Sequence, residues 1–247
     1  MRQWLVGPAE AFRAAERWLL PGHCLVCHER AGHTADDRLV CGVCRSRWQR
    51  LPFPQCPRCG QPTDADTECR ICRDWPLGLS GVRSAVWLDP SARRTVHLLK
   101  YDGWHRIAAA MAEPVARLVP ASGPGVLIPI PLGGARLQLR GYNQSGKLAQ
   151  AIGGKTNRVV SETTLVRSRE TRTQTTLTPE EREANLRNAF CVVGAVPESV
   201  VLVDDVFTTG ATLVSAARTL LEAGATAVTA VSFARAELPL AGASRAT

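Results

Sequence analysis

The sequence predicts an α/β fold, a mostly parallel sheet flanked by helices, with a small cysteine-rich module in front of it. Three observations carry this expectation. The apolar, β-branched run Val200-Val201-Leu202-Val203 is too short for an independent helix and reads as a buried strand. It leads through Asp204-Asp205 and a small polar turn into a helical pattern ending near Ala223, and a second strand–turn–helix pattern occupies 126–152. Eight of the nine cysteines fall in four Cys-x-x-Cys pairs ahead of both.

Taken in chain order, residues 3–20 form an amphipathic helix, with Trp4, Leu5, Phe12, Trp18 and Leu19 apolar and Pro21-Gly22 as its stop. Arg2, Glu10, Arg13, Glu16 and Arg17 interrupt any apolar core here, which argues against a leader peptide and for a cytoplasmic protein. No stretch is apolar enough to span a bilayer.

Residues 22–78 form the module, with the pairs Cys24/Cys27, Cys41/Cys44, Cys56/Cys59 and Cys69/Cys72. In a reducing compartment such knuckles hold zinc, and two pairs complete one tetrahedral thiolate site. Sequential pairing joins the first two pairs and the last two; a cross-braced pairing fits the spacing as well. His23, His28 and His33 lie close enough to substitute as ligands, but with eight thiols present they read as solvated loop residues. An all-cysteine set leaves no open coordination position, so the two expected zinc ions are structural. The module has few aliphatics and needs its metals to fold. Cys191 is unpaired and reads as a strand-edge residue.

The sheet domain is expected over 79–237, after the helix of 1–21 and the module, with 238–247 a loose tail. Val82 to Leu88 reads as a strand, and Pro90 to Lys100 and His105 to Leu118 as helices. Val126 to Ile130 is a short buried strand, followed by Pro131-Leu132-Gly133-Gly134, a basic stretch from Arg136 to Arg140 and a helix through Ile152. Arg158 to Val160 reads as a strand. Residues 163–190, rich in Thr and Arg, read as a mobile hood with a short helix from Pro179 to about Leu186. Ala227 to Ala234 is the last strand.

The formal charge of +8 divides unevenly: +2 over 1–80, +8 over 81–190 and −2 over 191–247. Two four-thiolate zinc sites lower the total to about +4 and leave the basic middle untouched. An anionic partner, pyrophosphate or nucleic acid, is expected there.

Strand-end acids sit where open α/β sheets bind ligands. The backbone N–H groups and hydroxyls of Thr208-Thr209-Gly210-Ala211-Thr212 suit a phosphate, and Asp204 and Asp205 suit ribose hydroxyls. In the second loop, Arg136 and Arg140 match pyrophosphate oxygens. Lys100 either reaches a phosphate or is a solvated helix end.

The order of four hydrophobics, two acids, two hydrophobics and Thr-Thr-Gly-x-Thr resembles the phosphoribosyl pyrophosphate (PRPP) signature of type I phosphoribosyltransferases. With the cysteine module, Leu99-Lys100-Tyr101, Ile130-Pro131-Leu132, Arg140-Gly141-Tyr142-Asn143-Gln144-Ser145, Thr173-Gln174, Leu177, Arg182 and Asn185, the chain resembles the ComF family from about Pro21 to Phe233. That family includes ComFC and GntX-like proteins; Tyr142 stands where Phe is common there.

The resemblance implies a type I phosphoribosyltransferase fold behind a double zinc ribbon, and a link to uptake or use of external DNA. It implies catalytic Asp204 and Asp205, and a 5′-phosphate turn from Thr208 to Thr212. It implies pyrophosphate binding by Leu132, Gly133, Gly134, Arg136 and Arg140, and a flexible loop over 167–188 presenting Arg167, Arg169, Thr173, Gln174 and Arg182. Mg²⁺ accompanies PRPP in this reading, and pyrophosphate is displaced from ribose C1 by an acceptor the sequence does not reveal. The competing expectation is a non-catalytic protein that binds PRPP and single-stranded DNA, with Tyr101, Trp104 and Tyr142 as stacking candidates. A DNA-uptake ATPase or helicase is the protein partner expected.

Overall fold

Buried apolar strands joined by helices call for a parallel sheet, and the main sheet is parallel throughout. The computed structural model describes residues 22–30, 39–63, 69–120, 125–168 and 189–237. The helices expected over 3–20 and from 179, the tail, His33, Arg169, Thr173, Gln174 and Arg182 lie outside the described residues.

The sheet order is β1 (Leu79–Trp87), β6 (Ala227–Arg235), β5 (Ser199–Phe207), β2 (Val126–Pro129). A separate antiparallel ribbon joins β3 (Leu165–Arg167) to β4 (Phe190–Val192). Among the described residues the α-helices are α1 (Gly42–Ser46), α2 (Pro90–Tyr101), α3 (Ala108–Ala116), α4 (Gly134–Arg140), α5 (Gln144–Thr156) and α6 (Ala211–Glu222).

Strand β5 is the axis of the fold. Val200, Val201, Leu202 and Val203 are all buried, each contributing about 2 kcal/mol of hydrophobic stabilisation. Successive side chains enter opposite apolar layers. Val201 and Val203 join Leu98, Leu99, Met111, Leu148 and Ile152 of α2, α3 and α5, whereas Val200 and Leu202 join Leu213, Ala216 and Leu220 of α6.

The two cysteine clusters divide in the same way. Cys24, Cys41 and Cys44 pack into the first layer with Trp48, and Cys56, Cys59 and Cys72 into the second with Trp75. Asp89 ties the module to the sheet. It caps α2 by accepting from Ala92 N at 2.9 Å, and it accepts from Gln49 N at 2.8 Å.

Several expectations change. Strand β1 begins at Leu79, ahead of the expected Val82. Strand β5 runs through both acids to Phe207, because Val206 and Phe207 keep their pairing with Ala234 and Arg235. The strand expected at 158–160 is one bridge, Val160 to Leu127. Asn157 ends α5 in the left-handed conformation just before it, and a Ser161–Thr164 hydroxyl contact at 2.7 Å turns the chain just after. The helix expected from His105 opens as a 3-10 turn, His105–Ile107, and α3 stops at Ala116. The basic stretch at 136–140 is helical, as α4.

Candidate functional site

Register brings the two expected ligand loops together. Pro129 lies opposite Val203, and Ile130 N donates to Val203 O at 2.9 Å, so the chain leaves β2 beside the acids of β5. This is the carboxyl end of the sheet, where ligands of such folds gather.

The acids are not an equivalent pair. Asp205 is buried, and Lys100 Nζ at the end of α2 lies 2.7 Å from its Oδ2. Burial alone lowers the Lys100 ammonium; the Asp205 charge outweighs this and holds it above the ordinary lysine value. Lys100 is therefore not a solvated helix end but the ion-pair partner of Asp205. Asp204 is half-buried, and its Oδ1 accepts from Ser145 Oγ at 3.0 Å and from Asp205 N at 2.9 Å. Burial, then the neighbouring Asp205 charge, pushes its carboxyl up to about 7, against the pull of Lys100.

The stretch Arg140 to Ser145 joins the loops residue by residue. Gly141, at φ +75°, closes α4 in the left-handed region. The Tyr142 hydroxyl donates to Leu99 O, beside Lys100. Asn143 caps α5 by accepting from Ser145 N at 3.1 Å, and its Nδ2 donates to Ile130 O at 3.0 Å. Gln144 Oε1 accepts from Arg140 Nη1 at 2.9 Å. Ser145 then reaches Asp204. The sequence marks this run but assigns Ser145 no role, because its contact with Asp204 depends on strand order, which periodicity does not encode.

The turn after β5 carries exposed Thr208 and Thr209 and buried Gly210, which opens α6 at φ +82°. A Cβ at Gly210 would lie 2.9 Å from Phe207 Cε2 and 3.0 Å from Trp75 Cζ2, so only glycine fits. Ala211 N faces Thr209 Oγ1 at 3.5 Å, and Ala211 and Thr212 start the helix. In the second loop Leu132 is half-buried and Gly133 has φ −65°, a conformation open to any residue, so glycine is not needed there for its backbone freedom. No residue of α4 is buried; Gly134 and Arg136 are exposed. Arg140 stacks 4.8 Å from the Tyr101 ring centroid.

Arg167 belongs to β3, not to a loop, and its guanidinium lies 5.3 Å from the Phe190 ring centroid. Of the stacking candidates, Tyr101 is 63% exposed, whereas Trp104 and Tyr142 are partly buried against the core.

The cysteines form two clusters in sequential pairing, Cys24/Cys27/Cys41/Cys44 and Cys56/Cys59/Cys69/Cys72, which excludes the cross-braced alternative. Cys24–Cys44 and Cys27–Cys41 sulfurs are 3.8 Å apart, Cys56–Cys72 3.6 Å and Cys59–Cys69 3.5 Å. Zn–S bonds of about 2.3 Å give a tetrahedral edge of about 3.8 Å, so both sets fit structural zinc. Despite burial, amide donors from Cys41, Cys27 and Val26 bring the Cys24 thiol down to about 7, which favours the thiolate. His23 and His28 stay outside both clusters. Arg58 clamps the second ribbon, donating to Cys72 O at 2.9 Å and to Trp75 O at 2.8 Å. Among the described residues no helix is long and apolar enough to cross a membrane.

Comparison with known proteins agrees with this architecture. Residues 15–73 match the double zinc ribbon domain family. The DNA utilization protein YhgH of Escherichia coli K12 is 31% identical over 220 residues, covering 85% of this chain and 95% of the relative. The Salmonella typhimurium protein of the same name is 33% identical over 218 residues, with the same coverage. Competence protein ComFC of Bacillus subtilis is 30% identical over 198 residues, 76% of this chain and 80% of its own length.

Proposed function

The chain belongs to the ComF family, and from that membership we propose that it binds PRPP with Mg²⁺ at the end of β5 and transfers the phosphoribosyl group to an acceptor. The observation that carries this reading is the convergence of two loops. A complete acid-pair and Thr-Thr-Gly-x-Thr segment stands beside the loop after β2, and Ser145 and Lys100 fix its two acids from neighbouring elements.

In this reading the turn from Thr208 to Thr212 holds the 5′-phosphate with backbone N–H groups and hydroxyls. Asp204 accepts from the ribose hydroxyls. Asp205, held by Lys100, places negative charge behind a ring that becomes oxocarbenium-like. Leu132 to Arg136 and Arg140 take the pyrophosphate. The protein's oxygen donors and the substrate's phosphates suit Mg²⁺, which offsets the charge of the leaving group. The bond from ribose C1 to pyrophosphate oxygen breaks, a bond from C1 to an acceptor nitrogen forms, and pyrophosphate departs while the proton of the acceptor nitrogen passes to pyrophosphate or water. Calorimetry of the zinc-loaded protein with PRPP and Mg²⁺ should show binding that Asp204→Asn/Asp205→Asn abolishes. Binding that persists in the double variant removes these acids from the mechanism.

The relatives' names point to DNA utilization and competence, and a nucleic-acid role is the second reading. Exposed Tyr101 with Arg140 stacked on it, beside the basic α4, supports base stacking and phosphate contact by single-stranded DNA. Affinity for a single-stranded oligonucleotide should fall steeply with salt, and Tyr101→Ala should weaken it at every salt concentration. A flat salt dependence rejects this reading. A DNA-uptake ATPase is the protein partner this role calls for.

A further inference from the structure

Arg235 ends β6 completely buried. Its Nη1 donates to Cys59 O at 2.8 Å and its Nε to Gln61 Oε1 at 3.1 Å, while Nη2 is buried without a hydrogen-bond partner. Both acceptors are neutral, and among the described residues no carboxylate forms an ion pair with it. A buried guanidinium without a counter-charge is unstable. Cys59, whose carbonyl Arg235 touches, is a ligand of the second cluster, and that four-thiolate site would carry a net −2 charge with zinc bound.

The same side chain leads to the ligand turn. Its guanidinium carbon lies 4.1 Å from the Phe207 ring centroid, and Phe207 pairs with Arg235 across β5 and β6. Phe207 also packs against Trp75 of the second ribbon, centroids 6.3 Å apart. Both rings press on Gly210, leaving no room for a Cβ.

We infer that the second zinc site is the counter-charge of Arg235, and that through Arg235, Phe207 and Trp75 it sets the position of the Thr208–Gly210 turn. Arg235 is a positioning residue, and the metal-loaded ribbon is an electrostatic part of the ligand site. The positioning half of this inference rests on the reading of that turn as the 5′-phosphate cradle; the charge pairing does not.

The test reads zinc affinity by chelator competition at equilibrium. Arg235→Leu should weaken one of two zinc equivalents by roughly 10- to 100-fold, as losses around a metal's ligands do, and Arg235→Lys, which keeps the charge, should recover most of it. In the native protein, saturating PRPP with Mg²⁺ in excess should tighten the same equivalent by roughly 5- to 150-fold, because coupling is reciprocal. The fluorescence change on PRPP binding should vanish in Trp75→Phe and in Arg235→Leu. An Arg235→Leu protein that holds both zinc ions as tightly as the native one overturns the charge pairing. Native zinc affinity that PRPP leaves unchanged, although PRPP binds, overturns the positioning role and needs no variant to fold. Absence of PRPP binding to the native protein instead rejects the reading of the turn, and the Arg235→Leu zinc affinity still decides the charge pairing.

Discussion

Lys100 and Asp205 form an ion pair at 2.7 Å in which the carboxylate is almost wholly shielded from water, its side chain 4% exposed. Removing the ammonium leaves a buried charge unanswered. Lys100→Met should therefore destabilise the protein by about 3–5 kcal/mol. Adding Asp205→Asn should recover most of that loss. Denaturant midpoints of the two single variants and the double variant check this; additive losses would mean the pair is not coupled.

Asp204 makes stability fall as pH rises. Its carboxyl titrates near 3.8 when unperturbed and near 7 in the fold. Between those values the folded state holds a proton that the unfolded chain has released. The contribution is full below about pH 4 and is lost as pH climbs through 7. In the proposed reading ligand affinity should run the other way, because ribose hydroxyls would donate to the ionised carboxylate. Asp204→Asn should flatten both profiles, read by urea melts and by calorimetry from about pH 5 to 8.

Gly210→Ala tests the turn. A methyl group meets Phe207 Cε2 at 2.9 Å, and the backbone is at φ +82°. The left-handed conformation alone costs about 1–2 kcal/mol, and displacement of the aromatic pair adds to it. PRPP binding should fail in this variant while both zinc ions are retained. Unaltered binding would mean the turn tolerates a shift that the proposed cradle does not.

Metal analysis should give two zinc ions per chain, and exhaustive chelation should lower the unfolding midpoint and raise binding of an apolar dye. Cysteines of each cluster belong to the apolar layer on one face of the sheet, so metal loss opens both faces. A chelated protein within about 0.5 kcal/mol of the native stability would show the metals to be dispensable.

What the sequence made legible was local. Four buried β-branched and aliphatic residues before two acids identify β5, and paired cysteines at short spacing identify both clusters. The helix at 134–140 was hidden because none of its residues is buried, so no apolar periodicity marks it. Val159 and Val160 have strand-forming side chains but only one bridge to form, a case of tertiary context overriding propensity. The contacts that organise the site are long-range. Ser145 meets Asp204 across 59 residues, and Arg235 meets Cys59 across 176. Both follow from the strand order, which no short window of sequence contains.

That order has a consequence for biosynthesis. The N-terminal strand of the main sheet, β1, has the C-terminal strand, β6, as its neighbour, and Ser84 and Ser232 share a 2.8 Å hydroxyl contact 148 residues apart. A ribosome releases β1 long before its neighbour exists, so the sheet closes only at the end of translation. A nascent chain halted before Arg235 lacks the last rungs of that ladder and the guanidinium that answers the second ribbon. Premature termination near the C-terminus should therefore yield a product destined for proteolysis rather than a partly working one.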